Sequence, residues 1–125
     1  MPSEHRHIAR AENNEQFYNQ FNLANTGFLD WAVTALFYGS LHYVDACLAR
    51  YPGGGFHPTS HSKRAQVIAL DAFLQNLYSD YEELKNRSED ARYNLVVFPP
   101  NFVAMLRGTE FERIRALIRS RLGLL

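Results

Sequence analysis

The sequence predicts an all-α protein that folds as an up-and-down bundle of four to five helices. Long stretches of the chain carry apolar residues at the three- and four-residue spacing of a buried helix face. Segments rich in Gly, Pro and Asn separate these stretches, and no strand pattern competes seriously. Since 46% of the 125 residues are hydrophobic and 14% are aromatic, we expect one domain over residues 1–125.

The first fifty residues predict two helices. Residues 1–10 are expected to form a flexible N-terminus, and the first helix covers about Ala11 to Ala24, with Phe17 and Phe21 inward. The turn-forming "ANTG" ends it. The second helix runs from about Phe28 to Arg50 and is expected at the centre of the bundle, because apolar residues surround most of its circumference. These residues are Trp31, Val33, Leu36, Phe37, Leu41, Val44 and Leu48.

One stripe of the second helix is polar. Steps of four and three residues place its members on one face, and they are Asp30, Thr34, Tyr38, His42 and Asp45. A polar stripe on an otherwise apolar helix faces either water or a buried network of polar groups.

The rest of the chain predicts a loop and two or three further helices. "YPGGGFHPTS" is a loop because its Pro and Gly residues disfavour helix and strand, and Thr59 or Ser60 caps the third helix. That helix carries one long seam, and Ser88 is expected to cap a short helical stretch after it. "LVVFPPN" is an extended connection. The seam consists of Val67, Leu70, Leu74, Leu77, Tyr81 and Leu84, and the last helix is defined by Phe111, Ile114, Leu117, Ile118 and Leu122.

Composition excludes several classes of protein. Thirteen basic and thirteen acidic residues balance, so the chain lacks the global field that drives non-specific binding to nucleic acid. From Arg107 onward the chain has five Arg and only two Glu. This basic end favours an anionic partner, with Arg113, Arg115 and Arg119 as the phosphate contacts. Cys47 is the only cysteine, and there is neither an apolar leader nor a span long enough for a membrane. We expect a cytoplasmic protein without membrane association.

Polar residues that could form a site concentrate around the loop. His42, Asp45, His57, His61 and Arg64 lie within two dozen residues. His42 beside Asp45 could act as a general acid or base, as could His61, and Arg64 could stabilise an anionic transition state. The same residues would equally form a structural or ligand-binding network, with Arg64 paired to Asp45 or Asp30. We favour the network over catalysis. The spacing of the histidines does not favour a metal site, and no cofactor is expected.

A resemblance to a known superfamily rests on three stretches. "DWAVTALFYGSLHYVDACLA", "HPTSHSKR" and "RSEDARY" resemble small prokaryotic proteins of the HEPN superfamily, over about Asp30 to Tyr93. The resemblance implies a helical bundle, a homodimer, and a role in stress, toxin–antitoxin systems or phage defence. It carries a polar set over to this chain: His42, Asp45, His57, His61, Arg64 and, more loosely, Ser88 and Arg92. Tyr38, on the polar stripe, is added as a ligand-binding candidate.

The superfamily's ribonuclease motif is an Arg followed, four to six residues on, by a His, and this chain departs from it. No His follows Arg92, and "RYPGGGFH" from Arg50 to His57 crosses a Pro/Gly loop. We therefore expect a non-catalytic dimeric module that binds RNA, a nucleotide or a protein partner such as an antitoxin or a nucleotidyltransferase. The alternative is a diverged, metal-independent ribonuclease toxin that uses His42 or His61 with Arg64.

Overall fold

The computed structural model describes residues 3–51 and 58–124. Within these residues the protein is all-α, with five helical rods and no strand. The rods are α1 (Glu4–Asn19), α2 (Leu29–Arg50), α3 (His61–Leu70), α4 (Tyr78–Tyr93) and a last rod made of α5 (Pro100–Leu106), a π-helical turn (Arg107–Phe111) and α6 (Glu112–Arg121). Short 3₁₀ turns occupy Leu23–Asn25 and Leu74–Leu77. The predicted fold class is thus confirmed as all-α with five helices, and no helix of the described segments combines the length and apolarity needed to cross a bilayer.

Helix α2 lies at the centre of the bundle, as its apolar circumference predicts. It packs against α1, α4 and the last rod, and nearly every residue from Ala32 to Leu48 is buried. The hydroxyls of Thr34 and Ser40 donate to the carbonyls of Asp30 and Leu36 four residues earlier, at 2.8 and 2.9 Å. These local bonds satisfy polar groups that burial would otherwise leave without partners.

Helix α1 begins earlier than the sequence predicts. Ser3 caps it, since its Oγ accepts a hydrogen bond from the Arg6 amide at 3.3 Å, and Glu4 places a negative charge in the first turn. Residues 4–10, which were predicted to be flexible, are therefore helical. The helix ends at Asn19 rather than Ala24, and Phe17 is largely exposed instead of buried.

The predicted long third helix is interrupted at Asp71. Its backbone is extended there, and Oδ1 accepts hydrogen bonds from the amides of Phe73 and Leu74 at 2.8 and 2.9 Å. Such a local side-chain bond offers the backbone an alternative to continuing the helix. Leu70, predicted in the seam, is consequently 85% exposed, whereas Leu74 is buried.

Two capping predictions have opposite outcomes. Ser60 caps α3, because its Oγ accepts from the Lys63 amide at 3.2 Å. Ser88 caps nothing: it lies fully buried in the interior of α4, and its hydroxyl has no hydrogen-bond partner among the residues that the structure describes. The connection between α4 and α5 is irregular, as expected for a segment closed by Pro99 and Pro100.

Candidate functional site

A buried ion pair joins α2 to α3 at the polar stripe. The Arg64 guanidinium donates from Nε to Asp45 Oδ1 at 2.9 Å and from Nη2 to Oδ2 at 3.0 Å. Asp45 is 2% exposed and Arg64 is 8% exposed. Asp45 is one of the two partners predicted for Arg64, and Ser60 fixes the first turn of α3 that carries it. A two-pronged pair of this kind is the strong form of the Arg–carboxylate interaction.

Tyr81 of α4 completes the surroundings of this pair. Its side chain is fully buried beside Arg64, and burial raises the pKa of the hydroxyl. Within residues 3–51 and 58–124, the hydroxyl nevertheless makes no hydrogen bond of good geometry. Three helices therefore meet at the pair, and Asp45 occupies the Nε–Nη2 edge of the guanidinium.

His42, one turn before Asp45 on α2, contacts His7 of α1. The two Nδ1 atoms are 3.2 Å apart and the ring centroids 5.5 Å apart. Burial, followed by the neighbouring His7, lowers the pKa of His42 to about 4, although Asp45 acts in the opposite direction. His42 is therefore neutral at pH 7. Since a short contact between two Nδ1 atoms requires one donor and one acceptor, the rings share a single proton there.

His61 and Arg92 form a second polar group around Tyr38. Arg92 donates from Nη1 to the Tyr38 hydroxyl at 2.9 Å, and its guanidinium lies 5.0 Å from the centre of the Tyr93 ring. The imidazole of His61 is exposed and rests against the rings of Phe37 and Tyr38, at centroid distances of 5.6 and 6.4 Å. Burial, together with the charges of Arg64 and Arg92, lowers the pKa of His61.

The predicted site residues are thus divided between two places on successive turns of α2. His42, Asp45 and Arg64 lie together, Tyr38, His61 and Arg92 lie together, and His57 falls outside the described residues. In the part of the chain that is described, no three His, Cys, Asp or Glu side chains converge to hold a metal ion. Five surface cavities are present, and none of these five is lined by His42, Asp45 or Arg64.

Three of the five arginines at the basic end of the chain pair with carboxylates of other helices. Arg113 pairs with Asp80 of α4 at 2.7 Å, Arg115 with Glu15 of α1 at 2.7 Å, and Arg119 with Glu12 at 3.3 Å. Glu15 also accepts a hydrogen bond from the buried Tyr43 hydroxyl at 2.5 Å. These three arginines hold the last rod against α1 and α4, and the anionic partner stays a prediction.

An exposed apolar face is the surface that the sequence did not predict. It surrounds a groove of about 330 Å³ between the start of α2 and the connection that follows α4. Asp30 and Arg92 both line an adjoining cleft. Trp31, predicted to be buried, is 54% exposed here, and Leu95 and Val97 are 88% and 90% exposed. Of the groove's lining residues, Leu95, Val96 and Val97 are exposed and apolar. We use the name apolar face for the exposed large apolar side chains of the two segments that flank the groove: Phe28, Trp31, Tyr93, Leu95, Val96 and Val97.

Two further residues of this polar region, His7 and Tyr81, were not predicted from the sequence. His7 was assigned to a flexible terminus, although "SEHR" carries the cap and first-turn acid of a helix start. Tyr81 was assigned to the apolar seam, where its spacing does place it, but spacing cannot show which polar group its hydroxyl meets.

No family model, curated protein or solved structure significantly matches the chain. The resemblance to the HEPN superfamily therefore stays a prediction.

Proposed function

We propose that this chain is a non-catalytic, HEPN-like helical module that acts by binding a protein partner through the apolar face. The observation that carries the proposal is a contrast within the molecule. His42, Asp45 and Arg64 are held by contacts with polar side chains in the interior, whereas the six large apolar side chains of the apolar face are left in contact with solvent. Large exposed apolar patches on soluble proteins mark sites of association.

The polar set supports a structural role more than a catalytic one. Asp45 occupies the Nε–Nη2 edge of Arg64, and Arg64 is only 8% exposed, so a phosphate could bind this edge only by displacing a buried carboxylate. Breaking such a pair leaves an uncompensated charge in the interior. His42, with its pKa near 4, is a weak base at neutral pH, whereas an efficient acid–base catalyst titrates near the working pH.

The pairing of arginines with carboxylates also disfavours RNA and nucleotides as the main ligand. Affinity for nucleic acid comes largely from Lys and Arg that neutralise phosphates. In this structure Arg113, Arg115 and Arg119 already have carboxylate partners. Association through an apolar face needs no such cations. A protein partner, of which an antitoxin or nucleotidyltransferase is the kind the resemblance implies, therefore fits the surface better.

Site-directed photocrosslinking in cells tests the proposal. A photoreactive amino acid replaces Val97 on the apolar face, and in a matched chain it replaces Leu70, which is equally exposed but lies on α3. We expect a discrete protein adduct from position 97 and none from position 70. Equal, diffuse labelling from both positions would count against the proposal, as would saturable binding of labelled RNA or nucleotide at physiological salt.

The ribonuclease alternative has its own test. Wild type, His42→Ala and His61→Ala are expressed in parallel and scored for growth arrest and RNA decay, with His5→Ala as the control for an exposed histidine of α1. We expect the four strains to behave identically. Growth arrest and RNA decay that disappear in His42→Ala or His61→Ala but persist in His5→Ala would establish the enzyme instead.

A further inference from the structure

We infer that the protein partner of the apolar face presents an extended apolar segment that carries a lysine or an arginine. The partner's segment lies in the groove alongside the stretch from Leu95 to Phe98, and its cation meets the carboxylate of Asp30. The inference rests on the proposed function, because it specifies the chemistry of the partner that binds this same surface. Its support is one unpaired carboxylate and one unpaired stretch of backbone at the same groove.

Asp30 differs from the other acidic residues of the chain in having no partner. All thirteen Asp and Glu residues lie in the segments that the structure describes. Every one except Asp30 forms an ion pair or accepts a hydrogen bond through its carboxylate. The backbone carbonyl of Asp30 accepts from the Thr34 hydroxyl, whereas its carboxylate has no such partner among the described residues. It is therefore the acidic group most open to a cation from outside.

The groove surrounds this carboxylate with uncharged groups. Asp30 is the only charged residue among the described residues that line it, and most of the others are apolar, such as Leu29, Ala91 and Val97. A partner that covers the groove removes water from the carboxylate, and a buried charge without a counter-ion is costly. A lysine or arginine of the partner supplies the counter-ion, while its aliphatic stem lies along the apolar walls.

Arg92 lines the adjoining cleft together with Asp30, but it is held by other groups. Its Nη1 donates to the Tyr38 hydroxyl at 2.9 Å, and its Nε donates to the Ser88 carbonyl at 3.3 Å. The guanidinium also lies 5.5 Å from the centre of the Tyr38 ring and 5.0 Å from that of the Tyr93 ring. These contacts keep Arg92 with its aromatic neighbours and leave the Asp30 carboxylate to the partner.

The stretch from Leu95 to Phe98 has the character of an unpaired strand. Its residues form no helix or turn, and their exposed fraction alternates, with 88% at Leu95, 41% at Val96, 90% at Val97 and 5% at Phe98. This alternation is the two-residue period of an extended chain. The amide of Val96 donates to the Asp90 carbonyl at 3.4 Å. The other amides of the stretch and its carbonyls make no hydrogen bond to any residue that the structure describes.

An exposed apolar strand is a template for a strand of another chain. In such pairing the main-chain hydrogen bonds supply affinity and the alternate side chains supply specificity. The stretch is also anchored, because Phe98 is buried and stacks on Phe102 at a centroid distance of 5.9 Å, and Pro99 after it is extended. An anchored edge loses little conformational freedom when it binds. These features favour an extended segment over a helix as the partner's binding element.

Selection of random peptides displayed on phage against the full chain tests the chemistry of the partner. We expect the enriched peptides to carry β-branched or aromatic residues at alternate positions together with one Lys or Arg. Selection against Asp30→Lys, shown to be folded by circular dichroism, should enrich Asp or Glu in place of that basic residue. The inference is overturned if no peptide is enriched, if the enriched peptides lack a basic residue, or if they show the three- and four-residue spacing of a helix.

Fluorescence anisotropy with a labelled copy of an enriched peptide measures the contribution of the carboxylate. We expect Asp30→Asn to raise the dissociation constant by about tenfold, because a charge-assisted hydrogen bond is lost. Glu12→Gln is the matched control, since it removes an equal charge from an exposed position of α1, and it should bind as wild type does. Equal weakening by the two variants would mean that the cation does not meet Asp30.

N-methylated copies of the same peptide test the strand pairing. Only every second residue of a strand hydrogen-bonds to a given antiparallel neighbour. Methylation of one alternate set of peptide amides should therefore abolish binding, whereas methylation of the other set should leave most of it. Similar losses from both sets contradict the pairing with Leu95 to Phe98.

The crosslinking experiment separates failure here from failure of the proposed function. A discrete protein adduct from position 97, combined with no enrichment of basic extended peptides, overturns this inference and leaves the proposed function standing. Equal, diffuse labelling from positions 97 and 70, combined with no enrichment, counts against both.

Discussion

The burial of His42 beside His7 predicts that the protein loses stability between neutral and mildly acidic pH. The pKa of His42 is about 4 in the folded state and about 6.5 in an unfolded chain. Because the unfolded chain takes up the proton first, stability is complete above pH 6.5 and falls as the pH is lowered toward 4. With these two pKa values, the free energy of unfolding at pH 5 is about 2 kcal/mol lower than at neutral pH. Because His42 is only half-buried, solvent screening reduces the expected loss to about 1–2 kcal/mol.

The positive charges around His42 reinforce this direction. Arg10 and Arg64 oppose a second proton near the ring, and Asp45, which would favour it, is committed to Arg64. His61 contributes with the same sign, since its pKa is also lowered. Both histidines therefore act together below neutral pH.

Urea unfolding followed by circular dichroism at several pH values between 7 and 5 measures this loss. His42→Gln cannot titrate and should remove the larger part of the decrease seen in wild type. His5→Gln is the control, because His5 lies on α1, the helix that carries His7, but is exposed. If His42→Gln retains the full pH dependence of wild type, the assignment of the loss to His42 is wrong.

Three further changes are predicted and can be measured by urea unfolding at pH 7. Asp45→Asn leaves the Arg64 charge buried and should cost about 3–5 kcal/mol, whereas Asp45→Leu combined with Arg64→Met should recover much of that loss. Ser60→Ala removes the cap of α3 and should cost about 1 kcal/mol. Leu74→Ala should cost about 2–5 kcal/mol because Leu74 is buried, whereas Leu70→Ala should stay within about 0.5 kcal/mol; equal losses would mean that the seam is not interrupted at Asp71.

Much of the fold could be predicted from spacing, because burial imposes a period on the sequence. The apolar circumference of α2 predicted its central place, and the polar stripe predicted that Asp45 would meet a partner from the third helix. Spacing shows which residues share a face, but it does not show where a helix stops being covered by its neighbours. Trp31 stays exposed for that reason, since it lies in the first turn of α2.

The remaining differences arise from local hydrogen bonds and from pairing between distant segments. Asp71 interrupts a heptad-like seam because its own side chain caps the next turn. The spacing of apolar residues does not reveal such a bond. The arginines of the last helix could be counted from the sequence. Their partners on α1 and α4 could not be identified, since those carboxylates lie up to about a hundred residues away.

The π-helical turn at Arg107–Phe111 sets the register of everything after it. Buried residues in the last rod step by three from Val103 to Leu106, then by five to Phe111, and by three again to Ile114. The widened step inserts one residue and lets both halves of the rod face α2, where Gly39 has no side chain to obstruct the Phe111 ring; a Cβ there would lie 3.0 Å from Cε1. Removal of Gly108 would close the step into an ordinary α-helical turn. The buried residues would then step by three, four and three, so α6 would keep its face toward α2 and its arginines would stay beside their carboxylates. An uninterrupted α-helix over the present sequence would instead rotate α6 by about 100° and move its arginines out of line with the carboxylates they now bind.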